Sequence, residues 1–158
     1  MKLFSLYRKL DGWLATLGAW GQPVVLFAIR LYWGWGFFQT GKGKLLNLEK
    51  TTAFFADLNL PLPQLNAIAA GAVEGVGGLL MMVGLASRCV SGALAFTMGV
   101  AYTTAHREEL GQLFSDPDKV TEAAPFLFLL ASVIVVAFGP GKISVDAWLG
   151  KKRGATAP

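Results

Sequence analysis

Thiols, imidazoles and charges are scarce in this chain. It has one cysteine, Cys89, and one histidine, His106. A single thiol forms neither an internal disulfide nor a CxxC redox pair. A single imidazole excludes bis-histidine haem ligation within one chain. Spacings such as HExxH are absent, so no metal site is expected. No intrinsic redox cofactor is evident. Charged residues make up 15% of the chain, against about 25% in a typical soluble domain. The few charges fall between long apolar stretches and not within them, which points to lipid as the solvent.

What the chain has in quantity is apolar surface and glycine. Hydrophobic residues reach 54%, and there are 19 glycines. Glycine weakens a soluble helix but lets membrane helices approach closely. The 158 residues suffice for one domain. The net charge of +4 is spread over helix ends and tails. That distribution suits anionic headgroups and membrane topology better than nucleic acid.

The patterning predicts an all-α integral membrane protein with four transmembrane helices. Residues 1–20 form an amphipathic segment, with Leu3, Leu6, Tyr7, Leu10, Trp13, Leu14 and Leu17 at helical spacing. Arg8, Lys9 and Asp11 interrupt any signal-peptide core, so this helix is expected to lie on the membrane surface. The first span covers residues 23–40 and closes at the turn signal Gly41-Lys42-Gly43-Lys44. A short interfacial helix is expected within 45–63, stopped by Pro61 and Pro63. The second span covers 64–86 and the third 89–106, joined at Ser87-Arg88. A polar loop, 107–121, precedes a fourth span over 122–138, near the lower limit of about 17 residues for crossing a bilayer. The membrane domain is placed at 1–149, and the basic tail 150–158 is expected to be disordered. With both termini on one side, that side holds eight Lys and Arg and the other five. Both termini are therefore expected in the cytoplasm.

Two charges fall inside the spans, Arg30 and Glu74. Each costs about 2.5–3.5 kcal/mol at the bilayer centre. Consecutive spans run antiparallel, so these two lie level and pairing would relieve both. Gly71, Gly75 and Gly78 turn the Glu74 face toward a neighbouring helix. The pair reads either as a buried acid/base or ligand site, or as a structural bridge that fixes helix register. A second group, Gln39, Lys44, His106 and Glu122, is expected together at the outer helix ends. These residues could bind a quinone head group and relay its protons, or be ordinary interfacial polar residues. The aromatic run from Tyr32 to Phe38 could line a pocket for a ring-bearing lipid, but such residues are more often packing or interface belt, and Cys89 reads as packing.

The ordered set of these features resembles the DoxX family of small bacterial membrane proteins. The resemblance rests on Arg30, Gly34, Phe37 and Gly41-Lys42-Gly43-Lys44-Leu45, then on Phe54-Phe55 before Leu60-Pro61. It continues through Glu74-Gly75-Val76-Gly77-Gly78 and Gly84-Leu85-Ala86-Ser87-Arg88, and through His106 and Glu122. The ending from Gly139 to Asp146 is similar to the family's GPGxxSxD pattern. The likeness spans residues 23–149. The basic N-terminal helix and the lack of glycines before Glu122 depart from the pattern.

The resemblance implies a four-helix protein of the bacterial inner membrane tied to redox metabolism. Relatives include a DoxD-type subunit of thiosulfate:quinone oxidoreductase. The expectation is a subunit of a redox complex, without its own redox cofactor, that binds quinone between helices. Its partners would be the bilayer, a soluble or membrane redox protein and further copies of the chain. A non-catalytic membrane anchor or assembly factor, or a small-solute or proton transporter, are the competing readings.

Overall fold

The computed structural model describes residues 2–152, and these are helical without any strand. Eight helices follow in order: α1 Lys2–Leu46, α2 Leu48–Asp57, α3 Pro63–Val83, α4 Ser87–Thr104, α5 Arg107–Gly111, α6 Pro117–Glu122, α7 Pro125–Phe138 and α8 Val145–Lys152. Residues 153–158, most of the tail expected to be disordered, lie outside the described residues; 150–152 belong to α8.

The predicted amphipathic helix and first span are one helix. α1 runs unbroken for 45 residues, about 68 Å at 1.5 Å per residue. Pro23 removes one backbone donor, but its φ suits a helix, so it does not end α1. The described residues between 4 and 20 are all exposed and form an arm beyond the bundle. Leu10, Leu17, Val24 and Leu31 recur every seven residues on one exposed face of α1. Leu26, Arg30 and Phe37 lie on another face, which is buried. The apolar stripe of the arm thus continues the outward face of the helix and not its core face.

Nor does Gly41 begin a turn. The helix continues to Leu46, and Gly41 instead lets α1 lie on the backbone of α3. A Cβ at Gly41 would strike Gly75 N, and would come within 2.6 Å of Gly71 O. One at Gly78 would come within 2.5 Å of Gly34 O. The glycines expected to pack α3 therefore find their counterparts in Gly34 and Gly41, seven residues apart on α1.

The remaining elements have local causes. Pro63 opens α3 at a position where the missing N–H costs nothing. Gly84, at φ 72°, closes it, with Gly84 N–H donating to Met81 O and Leu85 N–H to Leu80 O. This is the hydrogen-bond pattern of a Schellman stop. α2 is the short helix expected between the first two spans. The loop expected at 107–121 contains α5 and most of α6, and Tyr102 OH pins α6 to α4 by donating to Val120 O at 2.6 Å. The fourth apolar segment is shorter than expected. Extended backbone at Ala123 separates α6 from α7. Pro125 then starts α7 and Gly139 stops it after 14 residues, about 21 Å.

The core lies among α1, α3, α4 and α7, built on Phe37, Met81, Leu94, Met98, Ala131 and Val135. The Phe128 ring meets Trp33 and Phe37 edge-on, at centroid distances of 4.9 and 4.7 Å. Apolar side chains also face outward along the helices, among them Trp35, Val76, Phe96 and Val133. The stretch Leu6–Leu46 and α3 are long and apolar enough to cross a bilayer.

Candidate functional site

Register between α1 and α3 decides which charges meet. The glycine contacts set Gly41 opposite Gly71 and Gly75, and Gly34 opposite Gly78 and Met82. Glu74 is thus level with the end of α1, and Arg30 with Gly84. The expected Arg30–Glu74 pair does not form. Its premise placed the centre of the first span near residue 30, whereas α1 stays against α3 well beyond residue 40.

Glu74 pairs instead with Lys44. Nζ of Lys44 donates to Glu74 Oε2 at 2.5 Å. The Glu74 side chain is 3% exposed and that of Lys44 28%. The carboxylate is fixed inside the bundle while the lysine stem reaches in from its margin. Both line a cavity of about 450 Å³ between α1, α2, α3, α4 and α7. Its walls are mostly apolar: Phe54 and Phe55 from α2, Val73 from α3, Met98 from α4 and Phe128 from α7. This size falls in the usual range for small-molecule sites, and few polar groups in an apolar wall is their usual chemistry.

His106 also lines this cavity, just beyond the end of α4. Its Nδ1 lies 3.3 Å from Glu109 Oε1, outside the cavity lining. The Glu109 carboxyl is held below the usual range chiefly by a hydrogen bond to its own backbone N–H, with His106 adding to the effect. Lys44, Glu74 and His106 thus share one cavity. Glu122 does not join them: it is exposed at the end of α6 and does not line the cavity. Gln39 is exposed too and lies outside the lining.

Arg30 belongs to the opposite end of the bundle. Its Nη2 donates to the Ile143 carbonyl, and its guanidinium stands 5.8 Å from the centre of the Phe27 ring. Close by, Asp146 reaches back to the start of α4. Its Oδ1 accepts from Ala86 N–H, and its Oδ2 from the Ser87 N–H and hydroxyl, each at 2.8 Å. A carboxylate at a helix N-terminus satisfies amides that have no partner within the helix and meets the positive end of the helix dipole. Burial pushes the Asp146 carboxyl up, but the Ser87 and Ala86 hydrogen bonds and the Arg30 charge outweigh it. The group is held below its ordinary range.

A family model for DoxX matches residues 25–107, the stretch that carries Arg30, Lys44, Glu74 and His106. The chain belongs to the DoxX family. It is also 30% identical over 128 residues to "Putative oxidoreductase CatD" of Bacillus subtilis (strain 168), an alignment covering 80% of this chain and 89% of that protein. No solved structure matches. The DoxX family is membrane-associated, in keeping with the apolar outer faces of the helices.

Within this DoxX protein the closing sequence has a clear local role. Gly139 and Gly141 adopt φ of 76° and 77°. A Cβ at Gly141 would press on Leu26 at 3.3 Å. Ser144 Oγ accepts from Ala147 N–H at 3.1 Å, capping α8. Asp146 caps α4 from 60 residues away. Sequence spacing gave no hint of that second bond, because it depends on the turn after α3. The Lys44–Glu74 pair was open to inference from the glycine register.

Proposed function

We propose that this protein is the membrane-embedded, ligand-binding subunit of a redox complex, and that its cavity receives the ring of a lipophilic quinone. The observation that carries the reading is the Lys44–Glu74 pair, set into the wall of an otherwise apolar cavity of about 450 Å³. The walls suit a planar ring, since Phe54, Phe55 and Phe128 are among them. The relative named "Putative oxidoreductase CatD" supports a redox reading.

A quinone supplies two-electron, two-proton chemistry when bound, with electrons coming from a partner protein. Lys44 Nζ would hold a ring oxygen. The Glu74 carboxylate would hold or accept a proton beside it. His106, between the cavity and Glu109, would exchange protons with water. In this reading four segments cross the bacterial inner membrane, with α7 entering through the broken α6–α7 connection. Both termini lie in the cytoplasm.

The test is extraction of the protein purified from native membranes, with chromatography and mass spectrometry of the bound lipophilic compounds. A quinone held in stoichiometric amount, and lost in Glu74→Gln of unchanged size-exclusion profile, supports the proposal. Equal traces in wild type and variant count against it.

A further inference from the structure

Arg30 is fully buried, yet among the described residues only one of its three side-chain nitrogens finds a partner. Nη2 donates to the Ile143 carbonyl, whereas Nε and Nη1 meet no acceptor among these residues. A buried cation with free donors is costly unless an anion or acceptor meets it. Asp146 is near enough to feel the charge, but its two oxygens are held by the amides of Ala86 and Ser87. The place is made for this side chain, since a Cβ at Gly84 would collide with Nη1.

Beside the guanidinium lies a second cavity, of about 440 Å³. Phe27, Ile143 and Ser144 are shared by the two: they touch or closely approach Arg30 and also line this cavity. The rest of the wall includes Leu31, Met82 and Val83. Leu31 and Val83 are exposed, so the cavity opens on the outer face of the bundle.

We propose that this is a binding site for an anionic amphiphile. The amphiphile's carboxylate or phosphate meets the free Arg30 donors by displacing Ile143 and Ser144, which wall them off from the cavity. Its hydrocarbon chain lies on Leu31, Met82 and Val83. A guanidinium forms paired, charge-assisted hydrogen bonds with either anion. A neutral headgroup leaves the charge uncompensated, and a small hydrated anion gains nothing from apolar walls. The site is separate from the Lys44–Glu74 cavity and independent of the function proposed for it.

Native mass spectrometry of the full-length protein tests this, after delipidation and titration with phosphatidylglycerol, oleate or dioleoylglycerol. The expected result is one phosphatidylglycerol or oleate retained per chain where the uncharged dioleoylglycerol is not. Retention of one anionic lipid and not the other identifies the head group as phosphate or carboxylate. Val83→Trp, which obstructs the groove and leaves Arg30 intact, should weaken retention at least tenfold. Arg30→Gln should abolish the preference for anionic lipid. Should Arg30→Gln not fold, the Val83→Trp comparison still decides. Equal retention of phosphatidylglycerol and dioleoylglycerol by the wild type, or undiminished retention by Val83→Trp, overturns the proposal.

Discussion

Lys44 and Glu74 meet at 2.5 Å, thirty residues apart in sequence, because Gly41 brings α1 onto the backbone of α3. Their burial is unequal, and this gives an asymmetric expectation. Lys44→Met leaves a carboxylate that is 3% exposed without its partner, whereas Glu74→Gln leaves a lysine able to reach water. Breaking a buried pair costs about 3–5 kcal/mol, and loss of one hydrogen bond about 1–2 kcal/mol. Lys44→Met is therefore expected to be the more destabilising change in a thermal or denaturant unfolding series in detergent. The reverse order would show that the pair is not the anchor of Glu74.

The glycines of the α1–α3 contact are not equivalent. A Cβ at Gly41 would collide with α3 backbone, which cannot give way as a side chain can. Gly41→Ala should cost about 1–3 kcal/mol or more. At Gly75 a Cβ would find its nearest neighbour at 3.9 Å, ordinary contact. Gly75→Ala should be neutral, or stabilising by up to about 1 kcal/mol through helix propensity. Melting temperatures of the two variants, measured side by side, check this.

Asp146 makes stability depend on acid pH. Its carboxyl titrates lower in the folded protein than in the unfolded chain, where the ordinary value is about 4. Its contribution is therefore complete above that value and is lost as pH falls through the folded one. Asp146→Ala should cost about 0.5–2 kcal/mol near neutrality, the usual loss for a helix cap. Unfolding curves for wild type and variant should converge as the solution is acidified. A gap independent of pH would remove the charged cap from the account.

Much of this architecture could be read from sequence, and the failures have physical causes. Apolar stretches located α3 and α4 to within three residues, but ended the first span six residues short of the end of α1. A short helix does fall within 45–63, but it ends at Asp57, four residues before Pro61, where Asn59 takes a left-handed conformation (φ 56°). Gly41 and Gly43 signalled a turn by composition, but a glycine needed for close helix contact looks the same in one dimension. The boundary expected between residues 20 and 23 is likewise one that the helix ignores. Arg30 and Glu74 were both recognised as interior charges. Their partners depended on register, which the span midpoints misjudged and the glycine spacing encoded. Glu122 was assigned to the fourth apolar helix because Pro125, a signal for a helix starting later, was not read as its boundary. Glu109 and Asp146 drew no attention as site neighbours, since each acts through a fold contact.

His106 separates a chemical role from a structural one. Its Glu109 pairing lies at the surface, and such a contact contributes little to stability. His106→Ala should leave the unfolding midpoint within about 0.5 kcal/mol of wild type. It should alter the pH profile of any ligand-dependent redox exchange measured with the intact complex. An unchanged profile would take His106 out of the proton path.

The central claim is that the Lys44–Glu74 cavity is a ligand site, and a quenching titration tests it most directly. Trp33 packs on Phe128, which lines the cavity, so tryptophan fluorescence in lipid nanodiscs can report a bound quinone. The wild type should show saturable quenching by a short-chain quinone. Ala101→Trp, which fills the cavity from α4, and Glu74→Gln should each weaken that binding at least tenfold while remaining folded. Quenching that never saturates, or that is equal in all three proteins, would contradict the account.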